Sequence, residues 1–127
     1  MNLRRALRAR QERAVEREVA WSKSQRIPVD GYLGWLRSPR PVFDVVLAKE
    51  GHEQRIVADI RSLDARIITS FEPHRVRVEI PEKGFDRGIE GNRATIPDVD
   101  LMKAVVTRVV VPLADELGVQ RVEMGTL

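Results

Sequence analysis

A chain of 127 residues with 43% hydrophobic and 32% charged side chains has the make-up of one folded domain, long enough to build its own core, and not that of a disordered segment. It has no cysteine and no apolar run approaching a membrane span, which sets aside disulfide scaffolds, thiolate chemistry and membrane partners. The formal charge of +3 hides an uneven distribution: residues 1–26 carry eight basic side chains against three acidic ones, a net of +5, whereas the remainder nets −2. The start is charged from Arg4 onward, without the apolar stretch of a signal peptide, so the expected setting is cytoplasmic or within an assembled particle.

Residues 2–24 read as a helix, because they are strong helix formers without Gly or Pro. Its apolar stripe (Leu3, Leu7, Ala14, Trp21) is thin, so such a helix buries little of itself. Arg4, Arg5, Arg8, Arg10, Arg13 and Arg17 make it a candidate surface for DNA, RNA or a neighbouring subunit, and a solvated helix against its own domain is the plainer reading. Residues 27–41 follow as a turn-rich connector punctuated by Pro28, Gly31, Gly34, Pro39 and Pro41. Tyr32 and Trp35 in this connector, with Trp21 before it, either anchor an interface or plug one end of the home core.

From residue 42 the pattern becomes regular. Residues 42–48 read as a buried strand interrupted by Asp44. Ile56, Ile60, Leu63 and Ile67 then recur at steps of four, three and four, which predicts an amphipathic helix. Residues 66–72 read as a strand, Pro73 and His74 as a tight turn, and residues 75–80 as a strict alternation with Val76, Val78 and Ile80 on one face. Residues 82–96, punctuated by Gly84, Gly88 and Gly91, form a long connection whose Phe85 and Ile89 could insert into a neighbour, with a turn near residues 90–93.

Residues 98–119 give the clearest core helix. Met102, Val106, Val109, Leu113 and Leu117 fall in one stripe, widened by Val105 and Val110. Asp98 and Asp100 suit its first turn and Gly118 its left-handed end. Pro112 lies inside and should kink it or divide it in two. Residues 120–124 make a short last strand. The resulting order, strand, helix, strand, strand, helix, strand, predicts a ferredoxin-like βαββαβ α+β sandwich over residues 42–127, after the Arg-rich helix (1–26) and the connector (27–41). The rival is an antiparallel β-meander packed on the C-terminal helix, with residues 54–60 as a strand.

The sheet face away from the helices should carry Asp44, Arg75, Arg77, Glu79, Arg121 and Glu123. This mixture suits cross-strand ion pairs better than base stacking, which needs aromatics. His52 and His74 lack metal-binding spacing, and no phosphate loop or nucleophile elbow is present, so neither a metal site, a cofactor nor a catalytic residue is expected. Residues 27–33, Ile-Pro-Val-Asp-Gly-Tyr-Leu, resemble over fewer than ten positions the Pro-Val-Asp-Thr-Gly-x-Leu that follows the first helix in some tail-completion proteins of long-tailed phages, without the threonine; no site residue follows from it. The expected function is that of a non-catalytic structural protein that oligomerises or docks in a larger complex, such as a phage or other particle. The alternatives are sequence-independent nucleic-acid binding through the Arg-rich helix and a metal-dependent enzyme using Asp44.

Overall fold

A computed structural model describes the backbone of residues 3–87 and 93–127, and the side-chain surroundings of residues 13–83 and 97–127. The chain begins with a 21-residue helix, α1 (Leu3–Lys23). The stretch expected to be an irregular connector is instead ordered as a short strand, β1 (Val29–Asp30), and a helix of a turn and a half, α2 (Tyr32–Arg37). The hinge between them is Gly31. Its φ of 80° is left-handed, and a side chain there would collide with the carbonyl oxygen of Met124, so glycine alone lets this turn lie flush on the last strand.

Then come β2 (Pro41–Leu47), α3 (Glu53–Leu63), β3 (Ile68–Glu72), β4 (Arg75–Glu79), β5 (Glu82–Arg87), β6 (Arg93–Pro97), a long C-terminal helix, and β7 (Val119–Thr126). A mixed five-stranded sheet has the order β1-β7-β2-β4-β3; β1 runs parallel to β7 and every other neighbouring pair is antiparallel. The helical conformation of Glu53–Leu63 overturns the meander alternative, because Ile56 and Ile60 are fully buried at helical spacing and Val57 lies beside them. Ile67, which the spacing assigned to the same stripe, is buried just after the helix ends.

Within the long connection expected over residues 82–96, β5 and β6 pair as a separate two-stranded ribbon, with a register shift between Glu82 and Gly84. A glycine at an irregular pairing step is a common device for bending a ribbon. Residues 88–92, and with them the expected turn tip and Ile89, lie outside the described residues.

The C-terminal helix starts where expected. Asp98 caps it by accepting from the Leu101 N–H at 3.1 Å, and Gly118 ends it with φ 70°. Its interior is divided, one of the two outcomes expected at Pro112, and the division is a widened turn: two α-helical pieces, α4 (Val99–Ala104) and α5 (Val111–Leu117), flank a π-helical turn at Val105–Val110, where the Val111 N–H reaches five residues back to the Val106 carbonyl. Pro112 follows directly. It has no N–H to give and its ring crowds the preceding turn, and a turn widened by one residue accommodates both. The extra residue advances the buried stripe by one, so Ala114 is buried where Leu113 was expected, and Leu113 is only partly so. A single core unites this helix and α3 with alternate residues of the sheet: Phe43, Val45 and Leu47; Val76 and Val78; Val122 and Met124. No helix among the described residues is long and apolar enough to cross a membrane.

Candidate functional site

The C-terminal end of α1 is fastened to the body by a mixed cluster. Trp21 meets Tyr32 edge to face, with ring centroids 5.5 Å apart, and the Lys103 ammonium sits 5.3 Å from the Trp21 ring centre. The Glu18 carboxylate accepts the Tyr32 hydroxyl at 2.8 Å and the Lys103 ammonium at 2.7 Å. Burial pushes the Glu18 carboxyl up, but the bonds from Lys103 and Tyr32 outweigh it and hold the group below its ordinary value. Burial, reinforced by the Glu18 charge, raises the Tyr32 phenol. Arg26, just past the helix, bonds Asp115 at 2.9 Å and the Val111 carbonyl at 2.6 Å.

Of the aromatic candidates, Tyr32 and Trp35 are therefore buried in this chain's own core and Trp21 is packed against it. That is the plugging role, reached because α2 turns both rings inward. Arg13 and Arg17 are exposed on α1. Arg4, Arg5, Arg8 and Arg10 belong to the same helix and Phe85 to β5, but their side chains lie outside the described surroundings.

On the face of the sheet opposite the helices, the expected ion-pair lattice is present. Asp44 stands opposite Glu123 in the β2–β7 register and opposite Arg77 in the β2–β4 register. The Arg75 guanidinium bridges Glu123 at 2.8 Å and Asp44 at 3.1 Å, Arg77 donates to Asp44 at 3.0 Å, and Arg121 donates to Glu123 at 2.7 Å. The bonds from Arg75 and then Arg121 hold the Glu123 carboxyl below its ordinary value. Val42 and Val46, on the same face, are buried beside these charged side chains. The described part of α1 packs on α2, β1 and Lys103 instead of covering the lattice. Both oxygens of Asp44 are engaged by guanidinium groups, and among the described residues no three of His, Cys, Asp and Glu come together as metal ligands would.

A third feature was not singled out from sequence. β3 closes one edge of the sheet, and among the described residues nothing pairs with its outer side. Ile68 is 61% exposed and Phe71 50% exposed, two of the three exposed large apolar side chains among the described residues. Successive strand residues alternate between faces, so these two, three apart, flank the edge on opposite sides: Ile68 beside the ion-pair lattice, opposite Glu79, and Phe71 on the helix side, opposite Val76. The sequence held the signal. An apolar pair spaced by three in a five-residue strand cannot be buried on one face. The chain matches no family model, no curated protein and no solved structure.

Proposed function

We propose that this is a non-catalytic assembly subunit that engages other protein through the open edge at β3. The observation that carries the reading is the pair Ile68 and Phe71, exposed on the two faces of an unpaired edge strand. Edge strands exposed in this way are templates for further pairing, and soluble proteins ordinarily blunt them with charge, proline or a covering element. Here the apolar side chains bracket the free N–H and C=O row, so a strand added alongside would cover both. The lattice around Asp44 supports the non-catalytic part of the reading, since its charges are satisfied by one another and none is held apart for proton transfer or metal binding.

The run from β2 to β7 further supports a ferredoxin-like βαββαβ unit. Its strands follow the order β7-β2-β4-β3, each antiparallel to its neighbours, with α3 in one crossover and the long C-terminal helix in the other, and β1 added at the edge.

Mass in solution tests the assembly reading. Light scattering over a wide concentration range should give more than the mass of one chain, and Ile68→Lys with Phe71→Lys should return it to one chain without loss of helix and sheet signal. A wild-type chain that stays a well-behaved monomer at every concentration would overturn the reading.

A further inference from the structure

We infer that the occupant of the β3 edge is a second copy of the same chain, joined antiparallel about a two-fold axis at Ser70 to give one continuous sheet of ten strands. This rests on the assembly reading above and names its partner. The hydrogen-bond phase of β3 supplies the first step. Only Pro73 and His74 lie between the paired residues Glu72 and Arg75, so these two close the hairpin and exchange backbone bonds. Alternation then turns the N–H and C=O of Ile68, Ser70 and Glu72 toward β4, and those of Thr69 and Phe71 outward to the free edge.

A two-fold copy set with Ser70 opposite Ser70 places Thr69 of each chain opposite Phe71 of the other, so the outward groups bond one another. In this register Phe71 packs on a β-branched neighbour on the helix side, a favourable cross-strand combination. On the lattice side Ile68 lies beside the aliphatic stem of Glu72 from the other copy. Charge agrees with the same register: Ile68 faces Glu72 of the other copy, and the exposed Arg66 stands in the turn two residues before Ile68, so its long side chain is on hand for that carboxylate. Arg66 is exposed and already holds Asp64 at 2.8 Å, leaving part of its guanidinium fork to share. The helix side is also compatible. α3 packs beside β3, and its partly buried Val57 lies on the flank away from Arg55, which pairs with Glu116 of α5 at 2.7 Å.

The absence of cysteine makes the register directly testable. Ser70 opposite Ser70 is a non-hydrogen-bonded pair, whose Cα separation of roughly 4.5 Å lies within disulfide range. Full-length Ser70→Cys should therefore oxidise to a covalent dimer as the dominant species on a non-reducing gel, whereas Lys49→Cys, in an exposed loop, should give only traces. Thr69→Pro removes an outward N–H and no bond of the chain's own ladder, so it should lower the mass to one chain while keeping the native circular dichroism. If the wild type assembles yet Ser70→Cys fails to cross-link and Thr69→Pro leaves the mass unchanged, self-pairing at β3 is overturned and the assembly reading stands with another contact. Equal cross-linking of Ser70→Cys and Lys49→Cys would overturn the register as mere collision. A wild type that is a single chain at every concentration would overturn both readings.

Discussion

Glu53 is a buried carboxylate, and its partners explain why it is tolerated. Its oxygens accept from the Gly51 N–H at 2.8 Å and the His74 N–H at 3.0 Å, tying the start of α3 to the β3–β4 turn. His74 has a left-handed φ of 71°, unusual for a residue with a side chain, and this bond holds it there. Burial pushes the Glu53 carboxyl up, but its own N–H and those of His74 and Gly51 outweigh burial and leave it below the ordinary value of 4.5. Glu53→Gln keeps one oxygen as an acceptor and presents an NH₂ to the other donor, so the expected loss is about 1–3 kcal/mol at neutral pH, read as a lower urea midpoint. The sign of the pH dependence follows from the depressed carboxyl. Its stabilisation is complete above 4.5 and is lost as the pH falls through the lower folded value, so the gap between wild type and Glu53→Gln should close in acid. Gly31→Ala is the second test at this scale. The left-handed φ and the collision with Met124 together should cost several kcal/mol, the range of steric faults in a fixed backbone, and should lower the thermal midpoint accordingly.

The long C-terminal helix shows what a periodic pattern can and cannot reveal. Its start at Asp98, its stop at Gly118 and its burial of Met102, Val105, Val106, Val109 and Val110 follow from capping chemistry and spacing. The advance of the stripe from Leu113 to Ala114 does not, because a 3.6-residue period carries no sign of one inserted residue; Pro112 marked the place but not the remedy. The phase is measurable. Leu117→Ala should cost about 2–5 kcal/mol and Leu113→Ala clearly less, while Ala114→Leu should overfill the site and cost about 1–3 kcal/mol. In a continuous α-helix both leucines would lie in the buried stripe, and the two substitutions would cost alike in urea titration. Similar limits explain the other elements. The alternation of β4 and the stripe of α3 were legible because each has one buried face. The connector concealed α2, since Gly34 and its flanking prolines read as turn signals, while the burial of Tyr32 and Trp35 depends on β7, distant in sequence, and on how α1 folds back over α2. The ion-pair lattice could be foreseen as a set of side chains but not as pairs, because which arginine reaches which carboxylate depends on the strand order.

At the scale of the whole molecule, the question is what the basic arm does while several charges of the body pair with one another. The body nets −2, and its lattice and Arg55 with Glu116 are internally paired, while Arg26, counted with the arm, pairs with Asp115. The arm's far end is different in kind: Glu18 is committed to Lys103, whereas Arg13 and Arg17 are exposed and Arg4, Arg5, Arg8 and Arg10 precede the first acid in the sequence. A helix of 21 residues is about 31 Å long, and its anchoring cluster lies at Glu18 and Trp21, near one end. Such an arm would attract any polyanion, so the assembly reading makes a quantitative statement about nucleic acid and does not merely set it aside. Contacts from four arginines would release counterions with a log–log salt slope of about −4 on duplex DNA. Fluorescent single- and double-stranded oligonucleotides titrated with full-length protein should thus show weak binding at low salt that falls no more steeply than this and vanishes in the variant with those four arginines changed to alanine. If the copies join as proposed, through the β3 edge and not the arm, the same variant should keep the mass of the wild type. Tight binding that survives physiological salt would reverse the order of the two readings and make α1 the principal site. Loss of assembly in the arginine variant would instead move the protein–protein contact from the sheet edge to the arm.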